Sequence, residues 1–217
     1  TWLPEDKSKV EELLKERIER ILDLYEGRIK VWDVVNEPTH LPPIGDQSLE
    51  DYISELFELV NEMDPEAKLT LNDYGIMGHD FGYGPYYNLI NTLLENGVPI
   101  DTIGLQGREP RMDWIPATEI WATLEAYSAF DLPIHITEFT CPSSGNPITN
   151  SWKKGTWTEE NQAEYAKRYY KTCFAHPSVE AIIWWDLWDG SSWVRNGGLL
   201  DEDFKPKLVY EVLDDLI

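Results

Sequence analysis

Two glutamates stand where a chain could use them as a pair. Glu37 ends the run Ile29-Lys30-Val31-Trp32-Asp33-Val34-Val35-Asn36-Glu37-Pro38, and Glu138 lies near the end of Leu132-Pro133-Ile134-His135-Ile136-Thr137-Glu138-Phe139-Thr140. The first run is short, apolar and β-branched, which predicts a strand buried on both faces, and the second has the same design. Pro38 stops the first ladder and leaves Glu37 at its C-terminal lip. Cleaving a glycosidic bond needs one carboxyl that stays protonated and one that stays ionised, on opposite sides of the anomeric carbon. Parallel strands that each bring a carboxylate to the same rim meet that need, so a barrel-type glycosidase is the expected architecture. If configuration is retained, the two carboxyl groups must lie about 5–5.5 Å apart.

The elements that must position these residues alternate along the chain. A helix is predicted from Glu5 to about Tyr25, with Val10, Leu13, Leu14, Ile18, Ile21 and Leu22 at helical spacing and Gly27 as its cap. After the Glu37 strand and a loop through Pro42, Pro43 and Gly45, a second helix runs from about Ser48 to Met63. Further strands are expected at Lys68–Asp73, Ile100–Gln106 and Ala181–Leu187, and helices at Pro85–Glu95, Ala117–Phe130, Thr158 to about Ala175, and Lys207–Leu216. Strands recurring with helices between them are the mark of repeated βα units on a parallel sheet. Five strands are legible, whereas a closed (β/α)₈ barrel needs eight. Because the chain opens with a helix, the expected fold is a TIM-barrel type with about five C-terminal βα units and the first three strands absent. No linker divides it, so residues 1–217 are read as one partial domain.

Composition narrows the function classes. Forty acidic against eighteen basic residues leave a net charge of −22. Such a surface repels nucleic acid and anionic membranes but not a neutral polysaccharide. No apolar run nears the roughly 18 residues of a membrane span. Thr1-Trp2-Leu3-Pro4 leads straight into a charged helix, so no signal peptide is expected in these residues. Cys141 and Cys173 are expected as free thiols at opposite ends of the fold, without zinc-type spacing. Ten tryptophans and eleven tyrosines suit a core plus a cleft in which flat rings stack on sugars. His40, His79 and His176 fall in loops or at helix ends, and strand alternation turns His135 away from Glu138. Neither a catalytic metal nor a cofactor is expected.

Four motifs in order add a resemblance. Trp32-Asp33-Val34-Val35-Asn36-Glu37 resembles the acid/base strand of family 10 glycoside hydrolases, the endo-β-1,4-xylanase family. Asp101-Thr102-Ile103-Gly104-Leu105-Gln106-Gly107 is similar to its sixth strand, and Ile136-Thr137-Glu138 to its nucleophile strand. Trp185 to Trp193 (WDLWDGSSW), with Gly198-Leu199-Leu200 and Lys205-Pro206-Lys207, is similar to its eighth strand and exit. The resemblance implies Glu37 as general acid/base and Glu138 as nucleophile, through a glycosyl-enzyme intermediate on xylan or xylo-oligosaccharides. It implies Asn36 on the sugar 2-hydroxyl, Trp185 and Trp193 as walls of the −1 subsite, and Asn72, Tyr74 and Gln106 along the cleft. It also implies a secreted or periplasmic enzyme.

Two positions depart from the family pattern. Arg108 stands where a histidine follows Gln-Gly, and Thr140 where the nucleophile motif continues to an aspartate. That histidine and aspartate form a network around the nucleophile, and an arginine near Glu138 would hold it ionised instead. The absent strands call for a second polypeptide or a second copy to complete the barrel, or for a longer enzyme. A non-catalytic glycan-binding or assembly protein, and a barrel enzyme acting on cellulose or mixed-linkage glucan, are the competing readings.

Overall fold

A computed structural model gives the structure of residues 6–40, 42–43, 47–78, 84–108 and 111–216. Residues 1–5, Gly45 and His79, named above, lie outside them. Among the described residues the strands form one sheet in the order β1-β2-β3-β4-β5. The chain divides into two compact units, residues 1–73 with 85–104, and residues 74–84 with 105–217.

The first unit begins with α1 (Lys7–Tyr25), where the Asp6 carboxylate accepts the Ser8 N–H at 3.1 Å. It ends as expected at Gly27, which takes φ 64°, a left-handed conformation that a side chain disfavours. The apolar stripe of α1 covers little, since Leu22 is buried but Leu13 is 40% exposed. β1 (Val31–Asn36) follows, and then α2 (Leu49–Met63), which starts where the Ser48 hydroxyl accepts the Asp51 N–H at 3.1 Å. Such a cap is worth about 1 kcal/mol. Ile53, Leu56, Phe57 and Val60 form its buried face. β2 (Lys68–Asp73), α3 (Pro85–Glu95) and β3 (Thr102–Leu105) complete the unit's elements, β3 reaching into the second unit by one residue. β2 is buried beyond Lys68, and the expected β3 loses its first two positions and its last.

One expectation about β1 is corrected. It is not buried on both faces: Val31, Asp33 and Asn36 are exposed and only Val35 is buried. The cause lies in the sheet, where among the described residues β1 is an end strand with β2 as its only neighbour. An apolar, β-branched run reports how well a strand could be covered, not whether a neighbour covers it.

The second unit holds α4 (Ala117–Ser128), β4 (Ile134–Phe139), α5 (Glu159–Phe174), β5 (Val179–Trp184), a 3₁₀ turn at Asp189–Ser191 and α6 (Leu208–Asp214). Thr158 caps α5 as expected, accepting the Asn161 N–H at 3.2 Å. β5 ends three residues earlier than the apolar run suggests, so Trp185 and Leu187 belong to the loop beyond it. Aromatic rings fill the core here: Trp114 stacks on Trp157 at 5.6 Å, and Phe139 on Tyr169 at 4.1 Å. Cys141 lies against Gln162 in the first turn of α5 and Cys173 in its last turn, both free and buried. Burial pushes both thiols well above their ordinary range, which leaves them inert.

Both strands that carry a candidate glutamate are irregular just before it. Asp33 and Val35 pair with the consecutive residues Thr70 and Leu71, so β1 has one extra residue, Val34. Ile136 and Phe139 pair with Ile182 and Trp184, so β4 has one extra residue around Thr137 and Glu138. A bulge of this kind bends the strand and re-aims the side chains at its end. No helix among the described residues is long and apolar enough to cross a membrane.

Candidate active site

In the first unit the structure brings together Asn36, Glu37 and Asn72. The Glu37 N–H donates to the Asn72 carbonyl at 2.8 Å, which carries the β1–β2 pairing one residue past the strand end. The Asn72 side-chain amide donates to Asn36 Oδ1 at 2.9 Å. Asn72 is fully buried, and it fits only because residue 104 is glycine: a Cβ there would meet Asn72 Oδ1 at 2.6 Å. Tyr86, from α3, places its hydroxyl 2.6 Å from the Leu71 carbonyl and 3.1 Å from that of Gly104.

Glu37 itself is half-buried with φ 57°, in the left-handed region. The turn after it is pinned by Asp73. One Asp73 carboxylate oxygen accepts the Thr39 N–H at 3.0 Å and the Thr39 hydroxyl at 2.7 Å, and the other lies 3.3 Å from His40 Nε2. Asp73 is fully buried, so it is a fixed anchor for the strand end that carries Glu37.

In the second unit Arg108, Glu138, Trp185 and Trp193 form one cluster. Arg108 Nη1 lies 2.9 Å from Glu138 Oε2, with side chains 11% and 6% exposed. The Arg108 guanidinium carbon is 5.1 Å from the Trp185 ring centre and 4.5 Å from that of Trp193. Arg111, which sequence reasoning missed, stacks on Trp193 at 3.4 Å. Both tryptophans are half-exposed, at 48% and 52%, as are Ile183 and Leu187 of the same stretch. Gly107 lets the chain before Arg108 run close to its neighbours, since a Cβ would meet Tyr169 Oη at 2.8 Å and Ile136 Cγ2 at 2.9 Å. Gln106 is fully buried and Tyr74 half-buried.

The segment carrying Trp193 is braced from below. Asp186 Oδ2 accepts the Trp193 N–H at 3.1 Å and the Ser192 hydroxyl at 2.7 Å. Lys207 and Asp189 form a buried ion pair at 3.0 Å, and Lys207 Nζ also donates to the Asn196 carbonyl at 2.9 Å. Thr140 is buried and donates its hydroxyl to the Gly197 carbonyl at 2.9 Å. It thus anchors this segment rather than adding a carboxylate. His135 is half-buried on β4, and desolvation holds it below the ordinary imidazole range against the opposing charge of Glu180. Among the described residues no three His, Cys, Asp or Glu side chains are grouped to hold a metal ion.

Among the described residues five strands alternate with helices in one sheet, the arrangement of part of a (β/α)₈ barrel. The sequence profile described as "Glycosyl hydrolase family 10" matches residues 1–216, and the chain belongs to that family. It is 32% identical over 234 residues to endo-1,4-beta-xylanase B of Thermotoga neapolitana, covering 100% of the chain and 65% of the relative. It is 30% identical to endo-1,4-beta-xylanase A of Caldicellulosiruptor sp. strain Rt8B.4, over 97% of the chain and 32% of that protein. The solved structure of xylanase 10B from Thermotoga petrophila RKU-1, in complex with xylobiose, superposes with a TM-score of 0.75 at 29% identity, covering 99% of the chain and 67% of that structure. The chain therefore spans less than two thirds of the length of these two curated relatives.

Proposed function

We propose that residues 1–217 form a single, partial catalytic domain of a retaining endo-1,4-β-xylanase, with Glu37 as general acid/base and Glu138 as nucleophile. The observation that carries this reading is the family match over residues 1–216, which includes both glutamates at the ends of their strands. In the first step a Glu138 carboxylate oxygen attacks the anomeric carbon of a xylosyl unit. The glycosidic bond breaks, and the Glu37 proton goes to the leaving oxygen. In the second step Glu37 takes a proton from water, water attacks the same carbon, and the bonding pair returns to Glu138. Asn36 contacts the 2-hydroxyl, Trp185 and Trp193 face the sugar ring, and Asn72, Tyr74, Gln106 and Arg108 line the cleft. No cofactor takes part. A secreted or periplasmic location follows the family resemblance and would bring the enzyme to xylan or its oligosaccharides.

The length comparison supports a second reading. Since the chain covers 65% of the Thermotoga neapolitana relative, the rest of a longer enzyme, a second polypeptide or a second copy would each complete the barrel. A non-catalytic glycan-binding or assembly protein is the competing reading, as is a barrel enzyme acting on cellulose or mixed-linkage glucan. Release of reducing ends from xylan, set beside cellulose, decides between them. Glu37→Ala and Glu138→Ala should each lower that release by about 10³-fold or more. Azide separates the two roles: with an activated aryl xylobioside it should give the β-azide from Glu37→Ala and the α-azide from Glu138→Ala. Hydrolysis that survives either substitution ends the assignment.

A further inference from the structure

The geometry points to Arg108 as the positioning residue that stabilises the ionised Glu138 carboxylate and ties Trp193 to it, to the benefit of the second chemical step. The inference rests on Glu138 being the nucleophile. Its physical basis is local. A guanidinium 2.9 Å from a carboxylate, with both side chains largely withdrawn from water, interacts far more strongly than an exposed pair. Arginine suits the place for two further reasons. Its flat, weakly hydrated head can lie between the Trp185 and Trp193 rings, and it stays charged throughout the accessible pH range.

A permanent cation affects the two steps in opposite directions. As Glu138 attacks, its negative charge passes into a neutral ester, and the favourable pairing with Arg108 is lost. As water displaces the ester, the carboxylate re-forms and the pairing is regained. Arg108 therefore restrains formation of the glycosyl-enzyme and speeds its breakdown. A histidine could change its protonation between the steps, but Arg108 cannot, so its bias is fixed. Trp193 shares in this arrangement. Half-exposed, it is held by Arg108 at 4.5 Å and Arg111 at 3.4 Å on its ring, and by Asp186 on its backbone. Loss of Arg108 removes one of the two cations that keep the ring in place beside the nucleophile.

The two steps can be timed separately with a 2-deoxy-2-fluoro-β-xylobioside bearing a good leaving group, which slows both steps and makes the ester on Glu138 visible by intact mass. In Arg108→Gln the label should load at the parent rate or faster and be released to water at least about tenfold more slowly, a shift that the usual effect of an opposite charge on a carboxylate supports. Arg108→Lys keeps the charge but loses the fork and the ring stacking, and should release at an intermediate rate. It also provides a measurement if the glutamine variant does not fold. Loading and release slowed by the same factor, or release unchanged, overturns the role of Arg108 while leaving the nucleophile in place. If the parent takes the label on a residue other than Glu138, the nucleophile assignment fails and this inference fails with it.

Discussion

At the scale of single residues, Glu37 combines a candidate chemical role with an unfavourable backbone. Its φ of 57° costs a residue with a Cβ on the order of 1–2 kcal/mol, and the strain persists because the neighbours determine the turn. Those neighbours are the Asn72 carbonyl, which fixes the Glu37 N–H, and Asp73, which fixes Thr39 two residues on. If the strain is stored in the folded chain, glycine should relieve it. Glu37→Gly should then be more stable than Glu37→Ala by about 1 kcal/mol in urea unfolding, although both lack the carboxyl. Equal stabilities would mean that the turn imposes no cost on residue 37. The positions of both glutamates, at or near the ends of strands, could be read from the sequence because each closes an apolar run. Asp186 and Asp189 could not, although they brace the segment beyond β5, and Asp73 was legible only as the end of its strand. A carboxylate that accepts backbone or side-chain N–H groups across a turn leaves no periodic mark in the chain, and in a sequence with forty acidic residues nothing separates it from the surface ones.

At the scale of elements, helix and strand types followed from periodicity and caps. Pro85–Glu95 and Lys68–Asp73 begin and end where the sequence indicates, because Pro, Gly and Asp mark those boundaries. The bulges in β1 and β4 were invisible, since an extra residue in a ladder changes pairing without changing composition. The over-extension of β5 has a similar cause: Trp185 and Leu187 carry the apolar pattern past Trp184, where the ladder has already ended. Close approach between elements is where glycine can be tested. Adding a methyl at Gly104 puts a Cβ 2.6 Å from Asn72 Oδ1 and 2.9 Å from Asn72 Cβ, so β3 or the Asn72 side chain must move. Gly104→Ala should cost about 1–3 kcal/mol in urea unfolding and break the 2.9 Å contact from Asn72 to Asn36. In an active preparation, turnover should fall with it, whereas an unchanged unfolding midpoint would show that β3 yields freely at this point.

At the scale of the whole molecule, charge outweighs pairing. Even if all eighteen basic residues were matched, twenty-two acidic ones would remain uncompensated. Exposed ion pairs such as Lys15–Glu55 and Lys68–Asp101 contribute little, typically 0–1 kcal/mol each, and salt weakens them. The buried pair Lys207–Asp189 is shielded from salt by its surroundings. Salt therefore acts on two opposing quantities, a few weak surface attractions and the self-repulsion of a net charge of −22. The repulsion is larger, because it sums over all the unmatched carboxylates while the attractions are few and local. Raising sodium chloride from about 0.01 M to about 1 M shortens the screening length from roughly 30 Å to roughly 3 Å, and should raise the melting temperature by a few degrees in calorimetry. A fall would mean that the surface pairs contribute more to stability than their exposure suggests. The same titration bears on function, since a neutral xylo-oligosaccharide should bind with an affinity almost independent of salt, whereas an anionic polymer should bind only when salt masks the repulsion.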